Sequence, residues 1–346
     1  MKEALHFAIV GCGMISSFHA AAIADTEGAE LIGACSRSRP GAERFAEEHG
    51  IRAYENFQTV LEDDEVDAVS ICTPSGNHAA QVLAALEHGK HVVVEKPMCL
   101  TLEDADKMVF SAEKHGLTVC SIAQLRYADA SVALKNAIDN GEFGRLLSAS
   151  LSMSYFRPQS YYDQAQWRGT VGGDGGGVLM NQGIHGIDML CYLMGQPKEV
   201  SGFTATLMRN IEVEDTAAAI IRFENGAIAD VNATVCASPS CSKRITIRGE
   251  KGTVVMVEDG IESWDLPTKC PVPIGERAGF AAAADPKKIS HVYHAREYAD
   301  FVKAVNTNDN VLIDAREGRL PLEVILGIYR SSREGIRVPI RNKNAD

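Results

Sequence analysis

The chain has 346 residues, of which 45% are hydrophobic and 23% are charged. These proportions are those of a globular protein, and the length is sufficient for two domains. A formal net charge of −12 argues against binding to nucleic acid or to an anionic membrane, because both require clustered Lys and Arg.

The N-terminus and the cysteines indicate a cytoplasmic protein. The apolar stretch before Gly11 is too short for a signal peptide or a membrane-spanning helix. Nine cysteines are scattered along the chain without a Cys-x-x-Cys pair, so we expect reduced, buried thiols and no metal site.

The first 123 residues alternate between strand-like and helix-like segments. We predict strands at 4–10, 30–35, 66–72, 91–94 and 117–122, and helices at 15–23, 41–49, 76–87 and 102–115. This alternation predicts a doubly wound, mostly parallel Rossmann sheet in residues 1–123.

The remaining residues, 124–346, show a different order of elements. We predict helices at 130–140, 179–195, 293–306 and 321–334, strands at 147–156, 199–208, 216–223, 227–235 and 243–249, and a loop at 269–288. Successive strands without intervening helices predict an α/β domain with a large open antiparallel sheet, which would bind substrate and mediate oligomerisation.

A glycine turn follows the first strand. Gly11 and Gly13 suit a tight turn that approaches a pyrophosphate, and Ser16 occupies the third glycine position of the dinucleotide fingerprint. A simple strand-to-helix turn is the alternative. Because the turn opens an alternating series of elements, we predict that residues 11–15 bind NAD(P), through Gly11, Cys12, Gly13, Met14 and Ile15.

The end of the second strand bears on cofactor choice. An acid at this position would bind the ribose 2′-hydroxyl of NAD, but the chain has Ser36 and Arg37. These residues favour NADP(H) slightly, unless Arg37 and Arg39 are simply solvated at a helix start.

Lys96 follows the fourth predicted parallel strand of the series, 91–94, and precedes Pro97, which restricts the backbone. Ligands of open α/β sheets bind at the carboxyl ends of strands. Without further context Lys96 would be read as an ordinary exposed lysine.

Four sequence blocks in order supply that context. They are Gly11-Cys12-Gly13-Met14-Ile15 with His19, Cys72-Thr73-Pro74 with Asn77-His78, Glu95-Lys96-Pro97, and the block from Gly175 to Asp188. Over nearly its whole length the chain resembles the glucose-fructose oxidoreductase, inositol dehydrogenase and rhizopine catabolism family, written Gfo/Idh/MocA.

The resemblance implies an NAD(P)-dependent dehydrogenase or reductase acting on a secondary hydroxyl or ketone of a sugar, cyclitol, glycoside or sugar nucleotide. It implies that Lys96 takes part in proton transfer and orients the reacting hydroxyl. Four residues would line the nicotinamide side of the cleft, namely Thr73, Pro74, His78 and Glu95. Association through the antiparallel sheet would give a homodimer or homotetramer.

Asn181 and His185 are four residues apart, so on an α-helix they would share one face. The preceding glycines could let the backbone approach a ligand. The family typically has Asp where this chain has Asn181, and an amide cannot accept a proton, so Asn181 is interpreted as an orienter of substrate hydroxyls. The branch of sugar-nucleotide 3-dehydrogenases resembles this chain in having Asn there and in Gln124-Leu125-Arg126, from which we assign Gln124 to the cofactor and Arg126 to the substrate.

Oxidation of an alcohol by hydride transfer requires a base for the hydroxyl proton. His185 is the first candidate, because the pKa of histidine lies near neutrality. Lys96 would bind the same oxygen or itself be the base if burial lowers its pKa. We therefore predict that Lys96 and His185 converge on one substrate carbon. Asp188 is either a helix acid or a support for His185.

Several aromatic and basic residues complete the prediction. Trp167 and Arg168 would cover the cofactor or bind a carboxylate or phosphate, although a packing role for the tryptophan is equally consistent. Tyr155 is predicted to contact substrate, and with Arg157, Tyr161 and Tyr162 it either shapes a sugar pocket or belongs to the core. Two other functions stay open, an NAD-dependent glycosidase of the same fold and a non-catalytic NAD(P)-binding sensor.

Overall fold

The computed structural model describes residues 4–275 and 290–341. The strands are β1 Leu5–Val10, β2 Ala29–Cys35, β3 Arg52–Ala53, β4 Ala68–Ile71, β5 His91–Val94, β6 Val119–Ser121, β7 Leu146–Phe156, β8 Pro197–Ala205, β9 Thr216–Phe223, β10 Ile228–Thr234, β11 Cys236–Gly249, β12 Gly252–Val257, β13 Gly260–Asp265 and β14 Val338–Pro339. The α-helices are α1 Ser16–Ala24, α2 Arg39–His49, α3 Phe57–Leu61, α4 His78–Glu87, α5 Leu102–His115, α6 Asp129–Asp139, α7 Gln159–Asp163, α8 Val171–Asp174, α9 Ile184–Met194, α10 Val292–Thr307 and α11 Ala315–Glu334.

The chain divides into two compact units at a boundary that differs from the predicted one. The first unit contains Met1–Gln124 and also Ser290–Arg319, which the sequence assigns to the second domain. Aromatic packing explains the difference, because the rings of Tyr298 and Phe301 in α10 lie 5.4 and 5.8 Å from the ring of Phe7 in β1. The core of the first unit therefore includes residues from late in the chain.

The first unit contains the predicted doubly wound sheet. Its six strands are all paired in parallel, in the order β3-β2-β1-β4-β5-β6. Thr101 caps α5, since its Oγ1 accepts the N–H of Asp104 at 3.1 Å. The short β3 and α3 were not predicted.

The second unit contains a large sheet that is mixed rather than antiparallel. Its order is β13-β12-β11-β7-β10-β9-β8-β14. β10 pairs with β7 in parallel. The segment between these two strands is long and includes α9, β8 and β9, so the strands are not joined as a hairpin. The sheet extends further than predicted, through β12 and β13.

Two predicted helices differ from the structure, and most of one predicted loop lies outside the described residues. The predicted helix 179–195 is a π-helical turn, Val178–Gly183, followed by α9. α11 begins at Ala315 and carries Pro321 in its interior, whereas the prediction used that proline as the helix start. Most of the predicted loop 269–288 falls within residues 276–289, outside the described residues.

In the described part of the chain, no helix combines the length and the apolar character needed to cross a membrane.

Candidate active site

The glycine turn after β1 has the shape of a dinucleotide cradle. Gly11 has φ of 100°, and a Cβ there would lie 2.9 Å from the backbone C and O of Cys72, so only glycine fits. A Cβ on Gly13 would meet nothing within 4 Å, which leaves room on that side of the turn. α1 begins without a side-chain cap, so the N–H groups of its first turn suit a phosphate.

Ser16, at the third glycine position, is compatible with the glycine turn. It is fully buried, and its Oγ donates to the carbonyl of Gly13 at 2.5 Å. The hydroxyl therefore stabilises the turn from inside, and a small side chain is sufficient at this position.

The sheet order reverses beside β1, which lies between β2 and β4. Gly11, Ser36, Thr73 and Lys96 follow the carboxyl ends of β1, β2, β4 and β5 on this edge. Ligands of open α/β sheets bind at such a reversal. The fold thus brings these predicted cofactor residues to one edge of the first unit.

The end of β2 leaves Arg37 exposed beside Ser36. Ser38 caps α2, and Arg39 Nε binds Glu43 Oε1 at 2.9 Å. Of the two predicted arginines, Arg39 is therefore occupied within its helix.

Glu95 positions the backbone of Lys96. Glu95 is 7% exposed, its Oε2 accepts the N–H of Lys96 at 3.0 Å, and its Oε1 lies 3.0 Å from His19 Nε2. Burial alone would raise the pKa of Glu95, but the hydrogen bond and the charge of His19 hold it well below its usual value. The side chain of Glu95 is thus a buried anchor.

His19 is the residue that sequence reasoning did not assign. Its Nδ1 lies 2.7 Å from Tyr298 Oη and 2.8 Å from Ser70 Oγ. Burial opposes its charge, but interactions with Cys72, Tyr298 and Glu95 raise its pKa above the usual value. Only its place in the glycine block could have drawn attention to it.

His78 joins the loops after β4 and β5. Its Nδ1 lies 2.8 Å from the carbonyl of Pro97, and its Nε2 lies 2.8 Å from the carbonyl of Thr73. The ring is 1% exposed, and burial lowers its pKa. The His78 ring therefore connects the loop after β4 to the loop that contains Lys96 and Pro97.

Asn181 lies in the π-helical turn of the second unit. Its Nδ2 donates to Asp174 Oδ1 at 2.9 Å, and Asp174 Oδ2 accepts the N–H of Gly169 at 2.7 Å. Asp174 is 4% exposed, so a buried carboxylate sets the orientation of the amide. His185 follows half-buried in the first turn of α9.

Asp188 forms a buried ion pair with Arg126. Asp188 Oδ1 lies 2.6 Å from Arg126 Nη2, and Oδ2 lies 3.0 Å from Arg126 Nε. Arg126 is only 1% exposed and also lies against the Tyr192 ring at 4.8 Å. The structure places Arg126, which was predicted to bind substrate, as the partner that holds Asp188 and α9.

In the glycine loop before Val178, the backbone of Gly176 and of Gly177 lies directly against other atoms of the protein. A Cβ on Gly177 would lie 1.7 Å from the carbonyl oxygen of Glu214, and one on Gly176 would lie 2.1 Å from Tyr329 Oη. The Glu214 carboxylate accepts the N–H groups of Gly177 and Leu179 at 2.8 and 2.9 Å. Gly176 and Gly177 are therefore needed for packing against protein.

The other predicted residues differ in accessibility. Tyr155 is 8% exposed, and its hydroxyl lies 3.4 Å from both Glu258 oxygens. Gln124 is 8% exposed, and its Oε1 has no hydrogen-bond partner among the described residues. Trp167 and Arg168 lie together before α8, with the Arg168 guanidinium 5.4 Å from the Trp167 ring. The turn and loop residues not yet placed are partly or fully accessible, namely Cys12, Met14, Ile15 and Pro74.

Comparison with known proteins matches one family model in each half of the chain. Residues 5–123 match the model of an oxidoreductase family with an NAD-binding Rossmann fold, and residues 131–255 match the GFO/IDH/MocA C-terminal domain. A solved structure of the WlbA dehydrogenase from Bordetella pertussis, in complex with NADH and UDP-GlcNAcA, is 34% identical. Its TM-score is 0.87, and the match covers 98% of this chain and 99% of that chain.

Two curated relatives extend the comparison. The scyllo-inositol 2-dehydrogenase (NAD(+)) of Bacillus subtilis (strain 168) is 27% identical over 100% of this chain and 99% of its own length. The 1,5-anhydro-D-fructose reductase of Ensifer adhaerens is 33% identical over 58% of this chain, and the match spans 61% of that enzyme. The relatives are dehydrogenases and reductases. They include both NAD and NADP forms, so the comparisons do not support a preference for NADP.

Proposed function

Because this chain belongs to the Gfo/Idh/MocA family of oxidoreductases, we propose that it interconverts a secondary hydroxyl and a ketone on a sugar, cyclitol, glycoside or sugar-nucleotide substrate. The observation that carries the proposal is the edge of the first sheet, where an open glycine cradle follows β1 and an anchored lysine follows β5, with only β4 between these two strands. Such an edge suits a dinucleotide and a reacting oxygen together.

The cofactor would be held by the turn Gly11–Ile15, by Ser36 and Arg37 at the adenosine end, and by residues nearer the nicotinamide, namely Thr73, Pro74, Gln124, Trp167 and Arg168. The unpartnered Oε1 of Gln124 is consistent with such a contact. Bound NAD(P)+ supplies the hydride acceptor. Ser36 and Arg37 favour NADP(H) on chemical grounds, and competition between the two cofactors tests that preference.

Three residues would act on the substrate. The Lys96 ammonium hydrogen-bonds the reacting oxygen and stabilises the developing alkoxide, and His185 accepts the hydroxyl proton. Asn181 orients the substrate through its amide, which Asp174 fixes. His78 and Glu95 act through the loops that they hold, and Arg126 acts through Asp188.

The experiment is reduction of NAD+ and NADP+ with a panel of sugars, inositols, glycosides and sugar nucleotides, including UDP-GlcNAcA. We expect Lys96→Ala and His185→Ala to lower kcat/KM at least 100-fold, because each removes a proton-transfer or charge-stabilising group. Lys107→Ala, at an exposed i,i+4 ion pair of α5, is the control. Wild-type rates in both active-site variants would reject the assigned roles. Cleavage of a glycosidic bond without net cofactor reduction would favour the NAD-dependent glycosidase. Cofactor binding without redox chemistry would favour the non-catalytic sensor.

We also propose that the protein is a cytoplasmic homo-oligomer. No disulfide joins its cysteines within the described residues, which suits a reducing compartment. The outer face of the second sheet exposes apolar side chains, Phe203 at 80% and Ile220 and Ile228 at 48% each. A second copy of the chain would cover this face.

A further inference from the structure

Three arginines gather around two adjacent tyrosines in the second unit. The Arg168 guanidinium lies 4.5 Å from the centre of the Tyr161 ring, and that of Arg157 lies 5.8 Å from the same ring. The Tyr161 and Tyr162 rings are 5.1 Å apart. Both Arg157 and Arg209 oppose the rise in the pKa of Tyr162 that its burial causes, so their charges act at one place.

Two of these guanidinium groups carry buried N–H groups that have no hydrogen-bond acceptor among the described residues. Arg168 Nε and Arg209 Nε and Nη2 have no hydrogen-bond partner within residues 4–275 and 290–341, and neither arginine forms an ion pair there. A buried, unpaired donor on a charged group is destabilising, and an anionic ligand that accepts the hydrogen bond would remove this cost. Arg157 is also 9% exposed and donates from Nη1 to the carbonyl of Phe156 at 3.0 Å.

The segment with Arg209 is held against the tyrosines by defined contacts. Asn210 N donates to Gln159 Oε1 at 2.9 Å, and Gln159 Nε2 donates to the carbonyl of Asn210 at 3.2 Å. Gly169 packs between the two segments, because a Cβ there would lie 2.7 Å from Ile211 Cγ2 and 3.2 Å from Tyr162 Cδ1. These contacts therefore fix the position of the segment that carries Arg209.

This cluster adjoins Asn181, one of the residues proposed to act on substrate. Asp174 accepts both the N–H of Gly169, next to Arg168, and the amide of Asn181. On β7 the row of inward side chains contacts Gly186 through Leu151 and Gly183 through Met153. Arg157 comes directly after the end of β7, the strand that makes these contacts.

We propose that Arg157 and Arg209 bind an oxyanion of the substrate, so that the enzyme acts on an acidic sugar. A guanidinium fork matches a carboxylate or a phosphate with two parallel hydrogen bonds. A local cluster is needed because the chain as a whole carries a net charge of −12, which repels anions. The inference rests on the proposed function, since it names the substrate class of the same reaction.

The test compares four probes on the NADH-loaded enzyme by calorimetry: D-glucose, D-glucuronate, D-glucose 6-phosphate and UDP-glucose. We expect at least one anionic probe to bind 10-fold or more tightly than glucose, and the probe that does so distinguishes a carboxylate from a phosphate. Arg209→Met should remove this ratio, and Arg209→Lys should keep part of it, because lysine retains the charge but not the fork. Arg222→Met is the matched control, since Arg222 is an exposed arginine of β9 paired with Glu199.

Other results would overturn the proposal. Equal binding of glucose and all anionic probes would show that the arginines hold only water. A weaker Kd for NADH in Arg209→Met, measured by fluorescence, would assign the cluster to the cofactor diphosphate. Failure of the proposed function is separately visible, because the wild-type protein would then reduce neither NAD+ nor NADP+ with any compound of the substrate panel, whatever the charge of that compound. Should Arg209→Met not fold, Arg157→Lys and Arg209→Lys carry the comparison.

Discussion

Two buried histidines near Glu95 differ in the charge that their surroundings favour. His19 contacts the Glu95 carboxylate, and its pKa is raised. His294 has no hydrogen-bond partner for either ring nitrogen among the described residues, and burial followed by the charge of His19 lowers its pKa to about 4. The surroundings thus favour the charged form of His19 and the neutral form of His294.

His294 makes folding stability depend on pH. The unfolded chain binds a proton there below about pH 6.5, whereas the folded chain does so only near pH 4, so stability falls as the pH falls through this interval. The full effect is about 3 kcal/mol. We expect His294→Phe to reduce the drop in the urea midpoint between pH 7 and pH 4.5, and His88→Phe, at an exposed histidine, to leave it unchanged. An identical drop in His294→Phe would contradict this account.

Ser36 provides a second prediction. An aspartate at this position would bind the ribose 2′-hydroxyl of NAD and repel the 2′-phosphate of NADP. We expect Ser36→Asp to lower the ratio of kcat/KM for NADP+ to that for NAD+ at least 10-fold. Steady-state kinetics with both cofactors measure it, and Ser38→Asp, at the cap of α2, is the control. An unchanged ratio would place the ribose elsewhere.

The single residues show what the sequence could predict. Gly11, Lys96 and Thr73 follow parallel strands, and the rule that such strands end at one edge places them together. His19 and Tyr298 are 279 residues apart, and no local pattern predicts their contact. The ion pair of Arg126 with Asp188 spans 62 residues and was missed for the same reason.

The π-helical turn before α9 is the element that most departs from prediction. Its hydrophobic residues repeat much as in an α-helix, so sequence periodicity alone cannot distinguish the two. The backbone there is set by Glu214, a residue more than 30 positions away that accepts N–H groups at the start of the turn. Burial raises the pKa of Glu214 despite these bonds.

Gly177→Ala tests how tightly this turn is packed. The new Cβ would lie 1.7 Å from a backbone oxygen of Glu214, so the π-helical turn must shift. We expect a loss of stability of about 3 kcal/mol or more, seen as a lower Tm, together with reduced activity. Gly172→Ala is the matched control in the neighbouring α8, because a Cβ there meets nothing within 4 Å. Equal Tm values for the two variants would refute the packing argument.

At the scale of the whole molecule, the fold class of each unit could be predicted from the sequence, whereas the residues that belong to each unit could not. Alternating elements gave the parallel sheet, and consecutive strands gave the second sheet. The parallel pairing of β7 with β10 and the place of α10 in the first unit depend on contacts between distant segments.

The exposed face of the second sheet gives the last prediction. Register places Phe203, Ile220 and Ile228 on the same face. We expect Ile220→Lys to shift the protein towards a monomer, because a charge cannot be buried unpaired in an apolar interface. Light scattering after size exclusion measures the mass, and Val292→Lys, at an exposed position of α10, is the control. A monomeric wild-type protein would contradict the proposal.

The first unit is assembled from two stretches of chain, and this limits how the gene can be recombined. A truncated product ending at residue 124 would lack Tyr298 and Phe301 and leave Phe7 without its aromatic neighbours. Grafting the cofactor half onto a foreign partner therefore requires transferring residues 290–319 as well. Inserting new sequence between the two stretches is the more tolerant route, because it leaves both contributions to that core in place.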